Sequence, residues 1–445
     1  MTAVNLLRLN PRGCLRIFLV ERLGPHARGL AYRTWDDNFL LNVPAGNMSA
    51  LVDEPNDFVE FCNRIDPAFN AGSFIPRRIY GDYLANALDQ AQTESSCFLE
   101  RVRGEAVSLR RARSGFSLDL SDGRAIAADY VVLALGHFPP GSPLPEREPN
   151  SGDMNVVNPW DFDAMDRLPL TWPVALLGTS HTAVDAVFRL TSRGDRRKIY
   201  LVSRRGLLNH GHRASPKPPK TKSQLPPYLQ SVAPTTLAHS RAVRSELQAR
   251  IAEGDDWRDV INELRPHLPA LWGRLPQSER KRFLRHVVPY WDIHRHRLAP
   301  SARLRLERLV SEGVVEVIAG RVAGFERDAD AVTLEVRTRS AEDRKLVVGG
   351  VVNCTGPNYD LKTAQSALLT QLLTDGMVRQ DPLKLGVEVD DGYRMLDAAG
   401  WRQEGLYYIG PMLRGLFWEA TAVPELRGHC LALARVITEE CRRLS

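Results

Sequence analysis

Short apolar runs alternate with amphipathic segments along most of the chain, which is the pattern of an α/β protein. The clearest example starts at Val174, where the apolar run VALL precedes the small-residue turn GTS and the helical pattern HTAVDAVFRL. After a short polar break, a second apolar run, KIYLVS, ends at Arg204 and Arg205. The order predicts a strand, a tight turn, a helix and a second strand, which together form a βαβ unit.

The start of the chain contains part of the same pattern. Residues 2–9 predict a helix, Pro11 and Gly13 break it, and the apolar run LRIFLV ends at Glu21. This order corresponds to the second half of a βαβ unit, so we expect a strand and a glycine-rich turn ahead of Thr2. Our interpretation is that Met1 is an internal methionine of a longer protein; the alternative is a truncated protein.

Two later regions repeat one arrangement of short strands that ends in an apolar run and a glycine. The first predicts strands at 98–102, 106–111, 116–120 and 127–135, closes at Gly136, and has Ser121-Asp122-Gly123 as a turn. The second predicts strands at 314–319, 321–326, 332–338 and 345–352 and closes at Gly356. Such a repeat favours two related domains of the nucleotide-binding type.

Composition excludes several classes of protein. The 445 residues are 43% hydrophobic and 25% charged, as in ordinary globular proteins, and no apolar run approaches the length of a membrane helix. The six cysteines are scattered without a C-x-x-C or zinc spacing, which favours reduced thiols in the cytoplasm and no metal site. The net charge is +6, but the basic stretches lack interleaved aromatic residues, so we expect no nucleic-acid partner.

The βαβ unit at Val174 suggests chemistry at its turn. Gly178 allows a sharp turn, Thr179 and Ser180 are small enough for a pyrophosphate to approach, and the helix N-terminus attracts anions. Arg204 and Arg205 stand where NADP-binding proteins hold the 2′-phosphate. The motif reads G-x-S-x-x-A and not G-x-G-x-x-G, so an ordinary α/β turn remains an alternative reading.

Further segments carry a resemblance that covers essentially the whole chain. They are ERLGPHARGLAY (21–32), LLNVPAGNMSAL (40–51), PRRIYGDYL (76–84), LALGHFPP (133–140), NPWD (158–161), GTSHTAVD (178–185), SRRG (203–206), YWDIHRHR (290–297), NCTGP (353–357) and WEATAVPELR (418–427). Together they resemble bacterial FAD/NAD(P)-binding proteins that are distantly similar to flavin N-hydroxylases and other flavin-dependent monooxygenases.

The resemblance implies FAD and NADPH as cofactors and assigns their binding residues. Glu21 would bind the adenosine ribose, the Asn42–Met48 loop would lie near the flavin, Arg78 near the FAD phosphates and Val107 near the adenine. Gly178, Ser180 and Arg204 would serve NADPH, and Ser180 departs from the glycine that is usual there. The positions expected to bind a cofactor are Glu21, Asn42, Met48, Arg78, Val107, Gly136, Gly178, Thr179, Ser180, Arg204, Arg205, Gly410 and Ala422.

We therefore predict an α/β fold with two Rossmann-like dinucleotide-binding domains, a two-dinucleotide flavoprotein. Residues 1–165 and 353–445 would form the FAD-binding domain, and residues 166–352 the NAD(P)-binding domain with a helical insert at about 216–310. The predicted function is NADPH-dependent, monooxygenase-like oxidation of a small-molecule substrate. A reductase without oxygenation and a non-catalytic nucleotide-binding scaffold are alternatives, and catalytic residues, substrate and oligomeric state stay undetermined.

Overall fold

The computed structural model describes residues 1–13, 15–142, 156–192, 194–214, 224–328, 331–340 and 342–444. The sequence predicts a proline-rich crossover between the domains at 139–159, of which residues 143–155 lie outside the described residues. It also predicts a basic, proline-rich loop at 209–230, of which residues 215–223 lie outside them.

Helices and strands alternate along the chain as the apolar pattern predicts. The helices are α1 (Thr2–Leu9), α2 (Asp57–Ile65), α3 (Arg77–Glu94), α4 (Phe162–Asp166), α5 (His181–Leu190), α6 (Pro227–Gln230), α7 (Thr236–Ala252), α8 (Trp257–Leu264), α9 (Leu268–Arg274), α10 (Gln277–Arg282), α11 (Val288–Arg295), α12 (Pro300–Ser311), α13 (Ala367–Thr374) and α14 (Val423–Leu444). The strands are β1 (Arg16–Glu21), β2 (Phe98–Arg103), β3 (Ala106–Arg111), β4 (Phe116–Leu120), β5 (Ala125–Ala128), β6 (Val131–Leu133), β7 (Val156–Val157), β8 (Val174–Leu177), β9 (Ile199–Ser203), β10 (Val315–Arg327), β11 (Val332–Thr338), β12 (Asp343–Val348), β13 (Gly350–Asn353), β14 (Arg394–Leu396) and β15 (Arg402–Tyr408).

The first domain contains three small sheets. β1 pairs in parallel with β2, β6 pairs in parallel with β15, and β3, β4 and β5 form an antiparallel meander. The predicted single strand at 127–135 proves to be two strands, because the chain leaves the meander after Ala128 and enters the β6–β15 sheet at Val131. α1 packs on α14, and the Asn10 amide donates to the Thr438 hydroxyl.

The second domain is built on one seven-stranded sheet with the order β12-β11-β10-β9-β8-β13-β7. Every residue of β8 and β13 is buried, as expected for parallel strands covered on both faces. The predicted strands at 314–319 and 321–326 form one strand, β10, which pairs in parallel with β9 and then antiparallel with β11. β7 belongs to this sheet, so the sheet begins ahead of the predicted domain boundary at residue 166.

Helices α6–α12 lie between β9 and β10, where the insert was expected. Within the insert the apolar pattern predicts helices at 257–264, 268–274 and 278–288. The first two are α8 and α9, whereas the third is longer and less regular than predicted. It consists of α10, a π-helical turn at Phe283–Val287 and α11. The hydrophobic centre of the insert is formed by Leu229, Ile261, Leu264 and Leu268.

Substitution of Gly178 tests the close approach of the β8–α5 turn to the backbone after β13. Its φ is +126°, and a methyl group on its Cα would overlap the carbonyl oxygen of Cys354. We expect Gly178→Ala to lower the free energy of unfolding by about 2 kcal/mol or more, because both backbone strain and the overlap oppose it. The measurement is urea unfolding followed by circular dichroism.

The matched control is Gly273→Ala. Gly273 lies in α9, and an added methyl group has open space around it. This variant should be neutral or more stable by about 0.5–1 kcal/mol, because alanine favours the helix. Equal stability of the two variants would contradict the close approach of Gly178 to Cys354.

Candidate cofactor-binding site

The turn between β8 and α5 has the geometry of a phosphate-binding turn. β8 ends at Leu177, Gly178 turns the chain, and α5 begins at His181. Ser180 occupies the N-cap position but its side chain makes no capping hydrogen bond, and the residue is exposed. The first amides of a helix need acceptors, so an anion at this N-terminus would satisfy them.

Thr179 has a structural role in this turn. Its side chain is buried, and its hydroxyl donates to the Leu207 carbonyl at 2.6 Å and lies 3.2 Å from Ser203 Oγ. These contacts join the β8–α5 turn to the segment that follows β9. The hydroxyl of Thr179 is therefore directed into the protein, and Ser180 is the exposed residue of the turn.

The two arginines after β9 differ in their surroundings. Arg204 is exposed, and no acidic side chain in the described part of the chain forms an ion pair with it. Arg205 donates to the Arg285 carbonyl at 3.4 Å, and its guanidinium lies 5.5 Å from the centre of the Tyr290 ring. Arg204 is therefore the arginine whose charge is free for a ligand.

A cavity of about 2310 Å³, here called the open cleft, lies in the first domain. Every residue of β1 and β6 lines it, and each of these strands pairs with one neighbouring strand in the described part of the chain. One edge of each strand is therefore without a strand partner, and the expectation of a further strand ahead of Thr2 stays a prediction. Of the predicted cofactor residues, Glu21, Gly136 and Gly410 line the open cleft.

The surroundings of Glu21 suit its predicted role at the ribose, whereas Val107, predicted near the adenine, does not line the open cleft. One carboxylate oxygen of Glu21 accepts the Leu23 amide at 3.0 Å, which fixes the side chain and leaves the other oxygen for a ligand. Ala106 lines the open cleft, but its neighbour Val107 is not among the lining residues. Successive residues of a strand point to opposite faces, so the sequence could not decide between these two positions.

A second cavity of about 1380 Å³, the interdomain cavity, lies between the two domains. Asn42, Met48 and Ala422 from the first domain line it together with His181 and Thr182 at the start of α5. The two cavities share a set of lining residues, namely Arg22, Leu23, Leu30, Ala31, Tyr32, Arg33, His137, Phe138, Thr421, Val423 and Arg427. A long ligand could therefore extend from Glu21 to the entrance of the second domain.

The arginine that faces the interdomain cavity is Arg77, not Arg78. Arg78 is a surface residue that forms an ion pair with Asp37, and it lines neither cavity. Arg77 lines the interdomain cavity, donates to the Leu40 carbonyl at 3.0 Å and forms a 2.7 Å ion pair with Asp185. Neighbouring helical residues point about 100° apart, so the sequence PRRIYG could not show which arginine faces inward.

Three histidines of the interdomain cavity were missed in the sequence. Burial, and to a smaller extent nearby positive charge, lowers the pKa of His181, His212 and His296 to about 3. His181 Nε2 lies 3.1 Å from the His296 carbonyl, and His212 Nε2 lies 3.0 Å from the Asn42 carbonyl. At neutral pH these imidazoles are uncharged, and two of them act as hydrogen-bond donors. His181 joins α5 to the segment after α11, and His212 contacts the predicted flavin loop.

Asp292 and His294 of the YWDIHRHR segment line neither cavity, whereas His296 of the same segment lines the interdomain cavity. His294 packs against His210 and Trp257, with ring centres 4.6 and 5.0 Å apart. Burial raises the pKa of Asp292 to about 6. No group of three or more metal-ligating side chains forms in the described residues, and no described helix is long and apolar enough to cross a membrane.

Comparisons with known proteins agree with this geometry. A family profile described as FAD-NAD(P)-binding matches residues 1–138. No curated protein sequence matches the chain. The solved structure of ornithine hydroxylase from Pseudomonas aeruginosa is similar, with 14% identity, a TM-score of 0.64, and coverage of 99% of this chain and 97% of that one.

Two further structures are similar over the whole chain. Ornithine N-hydroxylase from Kutzneria sp. 744, described with reduced FAD, NADP⁺ and L-orn, has 18% identity, a TM-score of 0.60, and coverage of 100% and 96% of the two chains. The cadaverine monooxygenase of desferrioxamine biosynthesis from Erwinia amylovora, bound to FAD, has 12% identity, a TM-score of 0.65, and coverage of 98% and 92%.

At these identities the likeness to solved structures is one of fold. The chain therefore has the fold of two-dinucleotide flavoproteins, and residues 1–138 match an FAD/NAD(P)-binding domain. The predicted fold class is confirmed, as is the resemblance to the FAD/NAD(P)-binding family in fold and cofactor class. The residue assignments for the cofactors stay predictions, to which the two cavities add support for Glu21, Asn42, Met48, Gly136, Gly410 and Ala422.

The buried histidines predict how stability depends on pH. Their folded-state pKa is depressed below the unfolded value of about 6.5, so their stabilisation is present above pH 6.5 and is lost as pH falls toward 3. Between pH 7 and pH 5 we expect the free energy of unfolding to fall by about 2 kcal/mol for each of the three histidines. Urea unfolding at several pH values measures this dependence.

His212→Gln should reduce this pH dependence. The glutamine amide can still donate toward the Asn42 carbonyl but does not titrate. The contribution of this one histidine to the pH dependence of the free energy of unfolding should therefore disappear. His286→Gln changes an exposed histidine and serves as the control. An unchanged slope in His212→Gln would show that His212 does not titrate as a buried group.

Proposed function

We propose that the protein is an FAD-containing, NADPH-dependent oxidoreductase that acts on a small-molecule substrate. One observation carries the proposal: the Asn42–Met48 loop and the N-terminus of α5 line the same interdomain cavity. In a protein with one dinucleotide site in each domain, this cavity is where the two cofactors would meet. Catalysis by such a protein depends on holding the reactive ends of two cofactors together.

The residues of the first domain fit FAD. Glu21 has a free carboxylate oxygen at the end of β1, where an adenosine ribose would bind. Gly136 has a φ of +65° and open space where a Cβ would be, so the backbone after β6 leaves room for a ligand. Ala422 and the start of α14 lie beside both cavities and offer a helix N-terminus to an anionic group. Bound FAD supplies the electron-transfer chemistry.

The residues of the second domain fit NADPH. Gly178 and Ser180 bring backbone amides to the N-terminus of α5, where a pyrophosphate would bind. Arg204 is exposed with its charge unpaired by any described carboxylate, which suits the 2′-phosphate of NADPH. Arg205 lies beside it and contacts Tyr290.

The remaining residues of the cavity orient groups and exclude water. The Arg77–Asp185 ion pair is largely buried and holds α3 against α5 at the edge of the cavity. His181, His212 and His296 stay neutral, so they do not attract bulk water as cations would. His181 and His212 also donate hydrogen bonds to backbone carbonyls. The cavity does not need an acid–base pair or a nucleophile if the cofactors carry the chemistry.

Oxygenation of the substrate is the reaction we favour. The similar structures are those of an ornithine hydroxylase, an ornithine N-hydroxylase and a cadaverine monooxygenase, so the fold is known to support hydroxylation. By this proposal the chain works in the cytoplasm, without a nucleic-acid partner. Hydrogen peroxide release in the absence of substrate would accompany an oxygenase, whereas turnover that does not consume oxygen would indicate a reductase.

The proposal is tested with purified protein. We expect a yellow protein that carries FAD and oxidises NADPH, which is followed by flavin absorbance and by NADPH absorbance at rising cofactor concentration. A protein that is colourless after incubation with FAD and leaves NADPH unchanged would reject the proposal. Binding of NADPH without flavin reduction would favour the nucleotide-binding scaffold instead.

Arg204 should determine the choice between NADPH and NADH. In Arg204→Gln we expect kcat/KM for NADPH to fall by about 10- to 100-fold, because a charge-assisted contact with a phosphate contributes about 1.5–3 kcal/mol. The value for NADH, which lacks the 2′-phosphate, should stay the same. Arg196→Gln, at an exposed arginine paired with Glu312, is the control. An equal loss of kcat/KM with NADPH and with NADH would show that Arg204 does not recognise the 2′-phosphate.

A further inference from the structure

Arg297 is a buried cation without a carboxylate partner. It follows α11 at the end of the helical insert, is 4% exposed and lines the interdomain cavity. Its guanidinium donates to the Asn262 amide oxygen and lies 5.8 Å from the centre of the Trp257 ring. Its Nε atom is buried without a hydrogen-bond partner among the described residues.

Most other arginines of this cavity have carboxylate partners; Arg33 and Arg427, which are less buried than Arg297, form no ion pair among the described residues. Arg77 is paired with Asp185, Arg265 with Glu425, Arg295 with Glu419 and Arg213 with Asp259, at 2.5–2.9 Å. Arg297 has no such partner within ion-pair distance in the described part of the chain. The Asp256 carboxylate raises the pKa of Arg297, but it accepts its hydrogen bonds from Arg213 and Arg258.

The surroundings of Arg297 make this positive charge unusually costly. Burial, together with the charges of Arg295 and Arg258, lowers its pKa to about 10, so the guanidinium is still charged at neutral pH. A charge that is removed from water without a partner is destabilising unless an ion of opposite sign binds beside it. An anion that bound in the cavity beside Arg297 would therefore be stabilised by this charge.

Arg297 lies near both the predicted flavin loop and the start of α5, because it follows His296, whose carbonyl contacts His181. Arg297 contributes to the electrostatic environment of His212, whose Nε2 contacts the Asn42 carbonyl in the predicted flavin loop. The residues expected to hold the NADPH phosphates, Gly178, Ser180 and Arg204, do not line this cavity. Cofactor phosphates are expected at the N-termini of α5 and α14, so the substrate is the component left to supply an anion at Arg297.

We propose that Arg297 binds an oxyanion group of the substrate, such as a carboxylate or a phosphate, and holds the substrate in the interdomain cavity. This inference rests on the proposed function and narrows its substrate class to small organic anions. The planar guanidinium can donate two parallel hydrogen bonds to two oxygens of one anionic group. Asn262, which already accepts from Arg297, keeps the guanidinium in place for this contact.

Anion binding can be measured without knowledge of the substrate. Thermal unfolding of the purified protein is followed in sodium acetate and in sodium phosphate, with sodium chloride at the same ionic strength as the reference. We expect a saturable rise in the unfolding temperature with at least one of the two oxyanions. In Arg297→Met the apparent affinity should fall by about 10- to 100-fold, as for loss of a charge-assisted hydrogen bond.

Two controls separate an anion-binding arginine from a structural one. Without oxyanions, Arg297→Met should be as stable as the wild type or more stable, because it removes an unpaired buried charge; an arginine needed only for packing would lower the unfolding temperature. Arg196→Met should keep the full oxyanion response. Arg297→Lys keeps the charge but not the forked donors, so it should bind the oxyanion with intermediate affinity.

The outcomes distinguish the sources of the anion. A full oxyanion response in Arg297→Met, or none in the wild type, would overturn the proposal. If NADP⁺ competed with the oxyanion and Arg297→Met raised the KM for NADPH, Arg297 would bind a cofactor phosphate and the substrate proposal would be overturned. An Arg297-dependent response in a protein that does not oxidise NADPH would instead reject the oxidoreductase and retain the anion site.

Discussion

A largely buried ion pair between the two domains is the contact on which the cavity between them depends. Arg77 begins α3 in the first domain, and Asp185 lies in α5, the helix that starts at the predicted phosphate-binding turn of the second. Burial raises the pKa of Asp185, while Arg77 favours its charged form. Because a buried charge without its partner is strongly destabilising, the pair opposes any arrangement that separates α3 from α5.

Polar contacts around this pair extend the same connection. Arg189 of α5 forms an ion pair with Asp36, and His212 donates to the Asn42 carbonyl. The predicted flavin loop is thereby attached to the second domain and to the insert by hydrogen bonds of neutral or paired groups. Arg297 departs from this rule, because its charge is buried without a carboxylate, and such an exception is expected where a ligand binds.

The fold could be predicted to a large extent because it depends on local patterns. Apolar runs of buried parallel strands, the Gly178 turn and the helices of the insert are visible in the sequence. Errors occurred where the pattern and the structure differed in continuity. The continuous run 127–135 contributes to two sheets, and the apparent break before Arg321 lies inside the continuous strand β10. A strand changes partners for reasons of sheet topology, which periodicity does not record.

The sequence by itself determined the class of fold, the turn at Gly178 and the arginines after β9, because each depends on residues that are neighbours in the chain. Only the tertiary structure decided that Arg77 and not Arg78 faces the cavity, that Thr179 points inward, and that the histidines are neutral. It also decided that Arg297 has no carboxylate partner among the described residues. Burial and charge compensation depend on groups that are far apart in sequence, so no local pattern could predict them.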